Sequence, residues 1–214
     1  MEFDAALLPV GCACSAAVLT PRLTVRGCRR ILPGMPATGT HGLAVGFADP
    51  IDPALDSFES GVAEVDDYFQ SRQWFDISKD RPSPPTYRFE TAGGQVVGYA
   101  AVGFRNCPHD RDSAITKGKY LVVYAAGVDQ QFHGVVNESV PGESLAVSIF
   151  RVLEQFALDK EGCVGLYLWV RSDNERAIRF YEKFGFSADP DGPQRRDERT
   201  PHLTMRKLLA SAVA

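Results

Sequence analysis

The chain reads as an α+β domain, a mixed central β-sheet flanked by helices. Three observations predict this. The run Tyr120-Leu121-Val122-Val123-Tyr124-Ala125-Ala126-Gly127-Val128 is the most strand-like in the sequence, and its continuous apolar character suggests burial on both faces. A second apolar run, Cys163 to Val170, feeds directly into a helix-patterned segment. A Gly93-Gly94 pair separates two alternating stretches, a strong hairpin signal. With 214 residues, 44% of them hydrophobic, the chain can build one substantial domain or two small ones.

The elements follow in order. Pro33, Pro36 and nearby glycines break up the region before residue 41, and residues 1–40 are expected to be a poorly ordered extension, with the domain at 41–214. Gly42 to Phe47 is the first expected strand. Ser60 is placed as N-cap of a helix from about Gly61 to Gln73, with Val62, Val65, Tyr68 and Phe69 as its apolar stripe. Asp80 to Pro85 reads as a loop, then Thr86 to Thr91 and Gln95 to Phe104 as hairpin strands. Arg105 to Gly118 is a polar loop before the strand at 120–128. A helix is expected from near Glu143 to Leu158, with Leu145, Ile149, Val152 and Phe156 on one face and Ala146, Phe150 and Leu153 widening it. The strand at 163–170 is followed by a helix with Ser172 and Glu175 at capping-box spacing. Gly185 stands where that helix would stop in the left-handed conformation, with Phe186 free to fold back on its last turn. Leu203-Thr204-Met205 is a short final strand.

Composition excludes several classes. No run of about 18 apolar residues is present, so no membrane span is expected. The net charge of −4 gives no global support for nucleic-acid binding, which needs a basic face. The cysteines, Cys12, Cys14, Cys28, Cys107 and Cys163, are odd in number and form no zinc spacing, so no metal is expected. Cys163 reads as a buried small hydrophobe. The apolar N-terminal stretch follows Glu2 and Asp4 rather than Lys or Arg, unlike a secretory signal. Cytoplasmic residence is the resulting expectation.

The order Asn174-x-x-Ala177-x-x-Phe180-Tyr181-x-x-x-Gly185-Phe186, after an apolar strand, closely resembles the second conserved segment of the GNAT N-acetyltransferases. The resemblance covers about residues 42–208. Gln131-Phe132-His133-Gly134-Val135-Val136 looks like the family's Gln/Arg-x-x-Gly-x-Gly/Ala loop. It departs from that pattern at Val136, in the insertion Asn137 to Pro141, and in carrying Glu138 and Glu143 but no Arg or Lys. The resemblance implies the GNAT acyl-CoA N-acyltransferase fold and acetyl-CoA as co-substrate, its acetyl group passing directly to a primary amine. It also implies an acetyl-CoA site at Ala126, Val128, Gln131, His133, Gly134, Gly142, Ser144 and Asn174. Val128 N–H would polarise the thioester carbonyl, and Tyr181 would be the catalytic acid toward the leaving thiolate. The base is not identified; Asp129 and His133 read as structural. The acceptor would be a small-molecule or peptide amine, and a homodimer is left open.

A narrower resemblance runs through Phe58-Glu59-Ser60-Gly61-Val62-Ala63-Glu64-Val65-Asp66-Asp67-Tyr68-Phe69, Thr86-Tyr87-Arg88-Phe89 and Val97-Gly98-Tyr99, which look like segments of the GNAT toxins. That likeness implies, as an alternative, acetylation of aminoacyl-tRNA with a small antitoxin as partner. Arg176, Arg179, Lys183, Arg195, Arg196, Arg199, Arg206 and Lys207 would supply cations, although Asp189, Asp191, Asp197 and Glu198 are interleaved. A non-catalytic GNAT-fold binding module is the third reading, suggested by the irregular loop.

Overall fold

The computed structural model describes residues 40–76, 81–106, 118–189 and 201–210. The extension expected over residues 1–40 lies outside these apart from Thr40, as do Cys12, Cys14, Cys28 and Cys107, most of the 105–118 loop, and the charged positions 191–199.

Nine strands are described: β1 Ala44–Phe47, β2 Phe75–Asp76, β3 Arg81–Pro82, β4 Thr86–Glu90, β5 Val96–Asn106, β6 Lys119–Val128, β7 Cys163–Arg171, β8 Ser187–Ala188 and β9 His202–Leu208. Three helices accompany them: α1 Ala63–Gln70, α2 Leu145–Leu158 and α3 Glu175–Phe184. The main sheet has the order β1-β4-β5-β6-β7-β9-β8, and β2 pairs with β3 separately. Every neighbouring pair in the main sheet is antiparallel except β6–β7. That parallel step requires a crossover, which α2 supplies.

The helices divide the sheet's faces. On one, α2 buries Leu145, Ile149, Phe150, Val152, Leu153 and Ala157 in a cluster with Phe89, Val97, Leu121, Val123, Leu166, Leu168 and Met205, which α3 joins through Phe184. On the other, α1 delivers Phe69 to a smaller cluster with Leu55, Phe58, Trp74 and Tyr99. Cys163 is buried, as its strand position implied.

Three expected boundaries are corrected. The first helix is shorter than Gly61–Gln73, and Val62 rather than Ser60 is its N-cap. Gly61 has φ 79 and Arg72 φ 57, conformations that end a right-handed helix at both sides. Ser60 is instead a buried strap residue whose N–H and Oγ both donate to Asp66 Oδ1 at 2.6 Å. At α3 the N-cap is Asn174, whose Oδ1 accepts from Ala177 N–H at 3.0 Å, so Ser172 and Glu175 form no capping box. Ser172 N–H is drawn outward to Pro201 O at 3.0 Å. The far end of α3 is as read: Gly185 has φ 98, its N–H donates to Glu182 O, and Phe186 N–H donates to Tyr181 O at 2.9 Å, a Schellman closure. The last strand runs through Leu208, longer than the three residues expected.

Candidate functional site

The site is built where β6 and β7 part. Their parallel register runs from Lys119↔Cys163 to Val123↔Leu168 and stops there, although β6 continues to Val128 and β7 to Arg171. The cause is visible in the preceding pair. Between β5 and β6 the register steps from Ala101↔Ala125 to Val102↔Val123, leaving Tyr124 as an extra residue. Such a bulge bends its strand and increases local twist. The result is a V-shaped gap at the carboxyl ends of two parallel strands, the place where open sheets receive ligands.

The gap is lined by unspent backbone. Asp129 N–H donates to Val97 O, which fixes the hydrogen-bonding parity of the β5–β6 ladder. Alternation then turns the N–H and C=O of Ala126 and Val128 away from β5, into the gap. Val128 O accepts from His133 Nε2 at 3.0 Å, which requires the Nε2–H tautomer and leaves the Val128 N–H to face the opening. Asp129 caps the turn Gln130–Phe132 by accepting from Gln131 N–H at 3.2 Å. Both His133 and Asp129 therefore have structural roles.

The departure at 131–145 resolves into a closed excursion. Val136 bridges Ser144, Asn137 N–H donates to Glu143 O at 2.7 Å, and Leu145 N–H to Val135 O at 3.0 Å. Residues 137–143 thus leave and return at one point, and Gly134 is brought directly to the start of α2. The excursion ends in a turn at 140–143, where Glu143 N–H donates to Val140 O, with Pro141 and then Gly142 at φ 85 in its centre, the requirements of a type II turn. Its anchor is Asn137, 3% exposed, whose Nδ2 donates to His41 O at 2.7 Å and Ser148 Oγ at 2.8 Å. Ser144 is N-cap of α2, accepting from Val147 N–H. Among the described residues the N–H groups of Gly134, Val136 and Ala146 have no acceptor.

The irregular loop therefore presents a set of outward donors at a helix N-terminus, the arrangement that favours an anion. The exposed Glu138 lies within the excursion, not in this set. Glu143, the other acid of the loop, has a cation that sequence reasoning missed: Arg151 Nε lies 3.6 Å from its Oε1. The donor set and the free strand edge fit the pyrophosphate and pantetheine parts of coenzyme A.

The helix after β7, α3, carries Asn174 and Tyr181. The Oδ1 of Asn174 is spent on its own helix, leaving Nδ2 to donate elsewhere. Tyr181 is half-buried, with its ring 5.4 Å from Phe150 and 5.7 Å from Phe186. Burial pushes its hydroxyl up to about 12.

The opposite mouth of the gap belongs to α1. Gly127 faces it so closely that an added Cβ would lie 2.8 Å from Val65 Cγ1 and 2.9 Å from Phe58, so only glycine lets α1 sit over the end of β6. From α1, Glu64 reaches across to NH1 of Arg171, the last residue of β7. Arg171 is also held in two places by Asp173, Nε to Oδ1 at 2.9 Å and NH2 to Oδ2 at 2.6 Å. Asp173 first, and then Glu64, raise the Arg171 guanidinium further above its usual range. Neither Glu64 nor Arg171 had been singled out from the sequence.

No helix among the described residues is long and apolar enough to cross a membrane. The family described as Acetyltransferase (GNAT) family matches residues 54–186. No curated protein matches the chain. Among solved structures, the crystal structure of a bacterial toxin is 13% identical, covers 80% of this chain and 93% of its own, and has a TM-score of 0.56. The crystal structure of AtaTR bound with AcCoA is 16% identical, covers 81% and 98%, and has a TM-score of 0.50. At these identities the likeness is one of fold.

Proposed function

The chain belongs to the GNAT acetyltransferase family, and on that premise we propose that it is an N-acetyltransferase transferring the acetyl group of acetyl-CoA directly to a primary amine. The observation that supports this reading is the gap between β6 and β7, with the α2 donors at one end and Tyr181 on the helix that follows β7, packed against Phe150 of α2. The bound co-substrate would supply the thioester. Gly134, Val136 and Ala146 would hold its pyrophosphate through their N–H groups, with Ala126 along the strand edge and Asn174 Nδ2 as a further donor. In the same reading the exposed Gln131 and Gly142, with His133 and Ser144, shape the loop around that site.

Val128 N–H would hold and polarise the carbonyl, a pre-placed donor that strengthens as charge develops on oxygen. Tyr181 needs a more specific role than acid. A phenol near 12 stays protonated at every working pH, but it is too weak an acid to give its proton fully to a thiolate, whose thiol has a pKa of about 8.5. Its part in this account is to donate a hydrogen bond to the sulfur as negative charge builds there. Asp129 and His133 are both engaged in hydrogen bonds of the loop itself, so in this reading water takes the amine proton.

The toxin-like alternative, with aminoacyl-tRNA as acceptor and an antitoxin partner, calls for a basic face. Among the described residues much of that charge is compensated: Arg179 pairs with Glu175, Arg206 with Asp189 and Lys207 with Glu154. This favours a small-molecule or peptide amine. The test is an acceptor screen with purified protein and acetyl-CoA, reading free thiol. The proposal expects thiol release with at least one amine class. Release only with charged tRNA would select the alternative, and no release with any acceptor would select a binding module.

A further inference from the structure

We propose that Glu64 is the carboxylate that receives the acceptor's ammonium group and that Arg171 is the guanidinium it releases in exchange, an inference that rests on the reading of the gap given above. The pair spans the mouth of that gap. Glu64 stands on α1, which is seated over the end of β6 by the contact of Val65 with Gly127, and Arg171 is the terminal residue of β7. Beyond Val123 and Leu168 the two strands share no ladder, and at this level the Glu64–Arg171 contact reaches from α1 to the end of β7.

Three features suit it to exchange rather than to permanent closure. Arg171 keeps both bonds to Asp173 when Glu64 leaves, so release strands no cation. Both side chains reach solvent, 33% exposed for Arg171 and 57% for Glu64, and exposed pairs hold weakly. Acidic residues also gather along α1: Glu59, Asp66 and Asp67, with Asp56, itself paired to Arg72, line an open cavity of about 520 Å³ on a neighbouring part of this helix. An incoming ammonium ion takes the guanidinium's place on Glu64 while Arg171 stays on Asp173, so that each of the two carboxylates then has its own cation. The acceptor class assigned to this site is therefore a cationic primary amine with an unhindered alkyl stem.

The experiment uses n-butylammonium as probe on the CoA-loaded protein, followed by backbone amide NMR shifts at 62–70 and 169–173. Wild type, Glu64→Gln and Arg171→Gln are compared, with acetyl-CoA affinity measured on each. Glu64→Gln is expected to weaken the probe about tenfold, and Arg171→Gln to tighten it about threefold by removing its competitor, with acetyl-CoA affinity unchanged in both. A purely structural pair would give weakening in both variants. That result, an unchanged affinity in Glu64→Gln, or no shift at these amides would overturn the exchange. Loss of acetyl-CoA binding in wild type would instead remove the functional reading beneath it.

Discussion

Replacing Tyr181 by Phe is expected to lower kcat about 10- to 100-fold while leaving acetyl-CoA affinity unchanged. The magnitude is that of one hydrogen bond to a developing charge, not of a full proton transfer. The ring keeps its seat in the variant, because its contacts with Phe150 and Phe186 are aromatic and need no hydroxyl. The pH profile sharpens the test. The Tyr181 hydroxyl is raised to about 12, so it remains protonated as pH rises through 10, where an ordinary tyrosine would ionise. No alkaline loss of activity below about pH 11 should belong to it, and wild type and variant profiles should keep the same shape. Steady-state kinetics from pH 6 to 10.5 checks both statements. A variant with full activity, or one that abolishes an alkaline limb near pH 9, would remove Tyr181 from this role.

The second large effect is on stability. Phe150→Ala is expected to cost about 3–5 kcal/mol, lowering Tm by about 10 °C or more. Phe150 is 5% exposed and meets Phe180 at 5.2 Å, Tyr181 at 5.4 Å, Phe184 at 5.6 Å and Phe186 at 6.4 Å. It is thus the common partner of every aromatic side chain on α3 and of the residue that closes it. Activity should fall below what the folded fraction accounts for, since Tyr181 loses its support. Urea unfolding with parallel kinetics measures both. A cost under about 1 kcal/mol would mean that α3 is held chiefly elsewhere, for example by Lys207, which donates to Phe184 O at 2.9 Å and lies 4.1 Å over its ring.

The parts of this architecture that depend on local chemistry were legible in the chain. The Gly185 stop and the Phe186 return are written in neighbouring residues, and so are the Gly93-Gly94 turn and the apolar face of α2. The capping of α3 was misread because Ser172 and Asn174 both suit an N-cap, and the choice depends on Pro201, which takes the Ser172 N–H. The insertion at 137–143 looked disruptive because its sequence has no element of its own. Its order comes from Asn137, whose partners are His41 and Ser148, one of them almost a hundred residues away. The Glu64–Arg171 contact joins positions 107 apart and carries no periodicity or motif. The sheet's splay, which creates that contact, follows from a single extra residue in β6 that no hydrophobic pattern marks.

The measurement that bears most directly on the account is a titration of acetyl-CoA against thermal stability. Binding at the gap and the α2 donors predicts a rising Tm, about 2.7 kcal/mol of added stability at 100 times the dissociation constant, or about 5–10 °C for a chain of this size. A Tm that does not move at millimolar acetyl-CoA would contradict it.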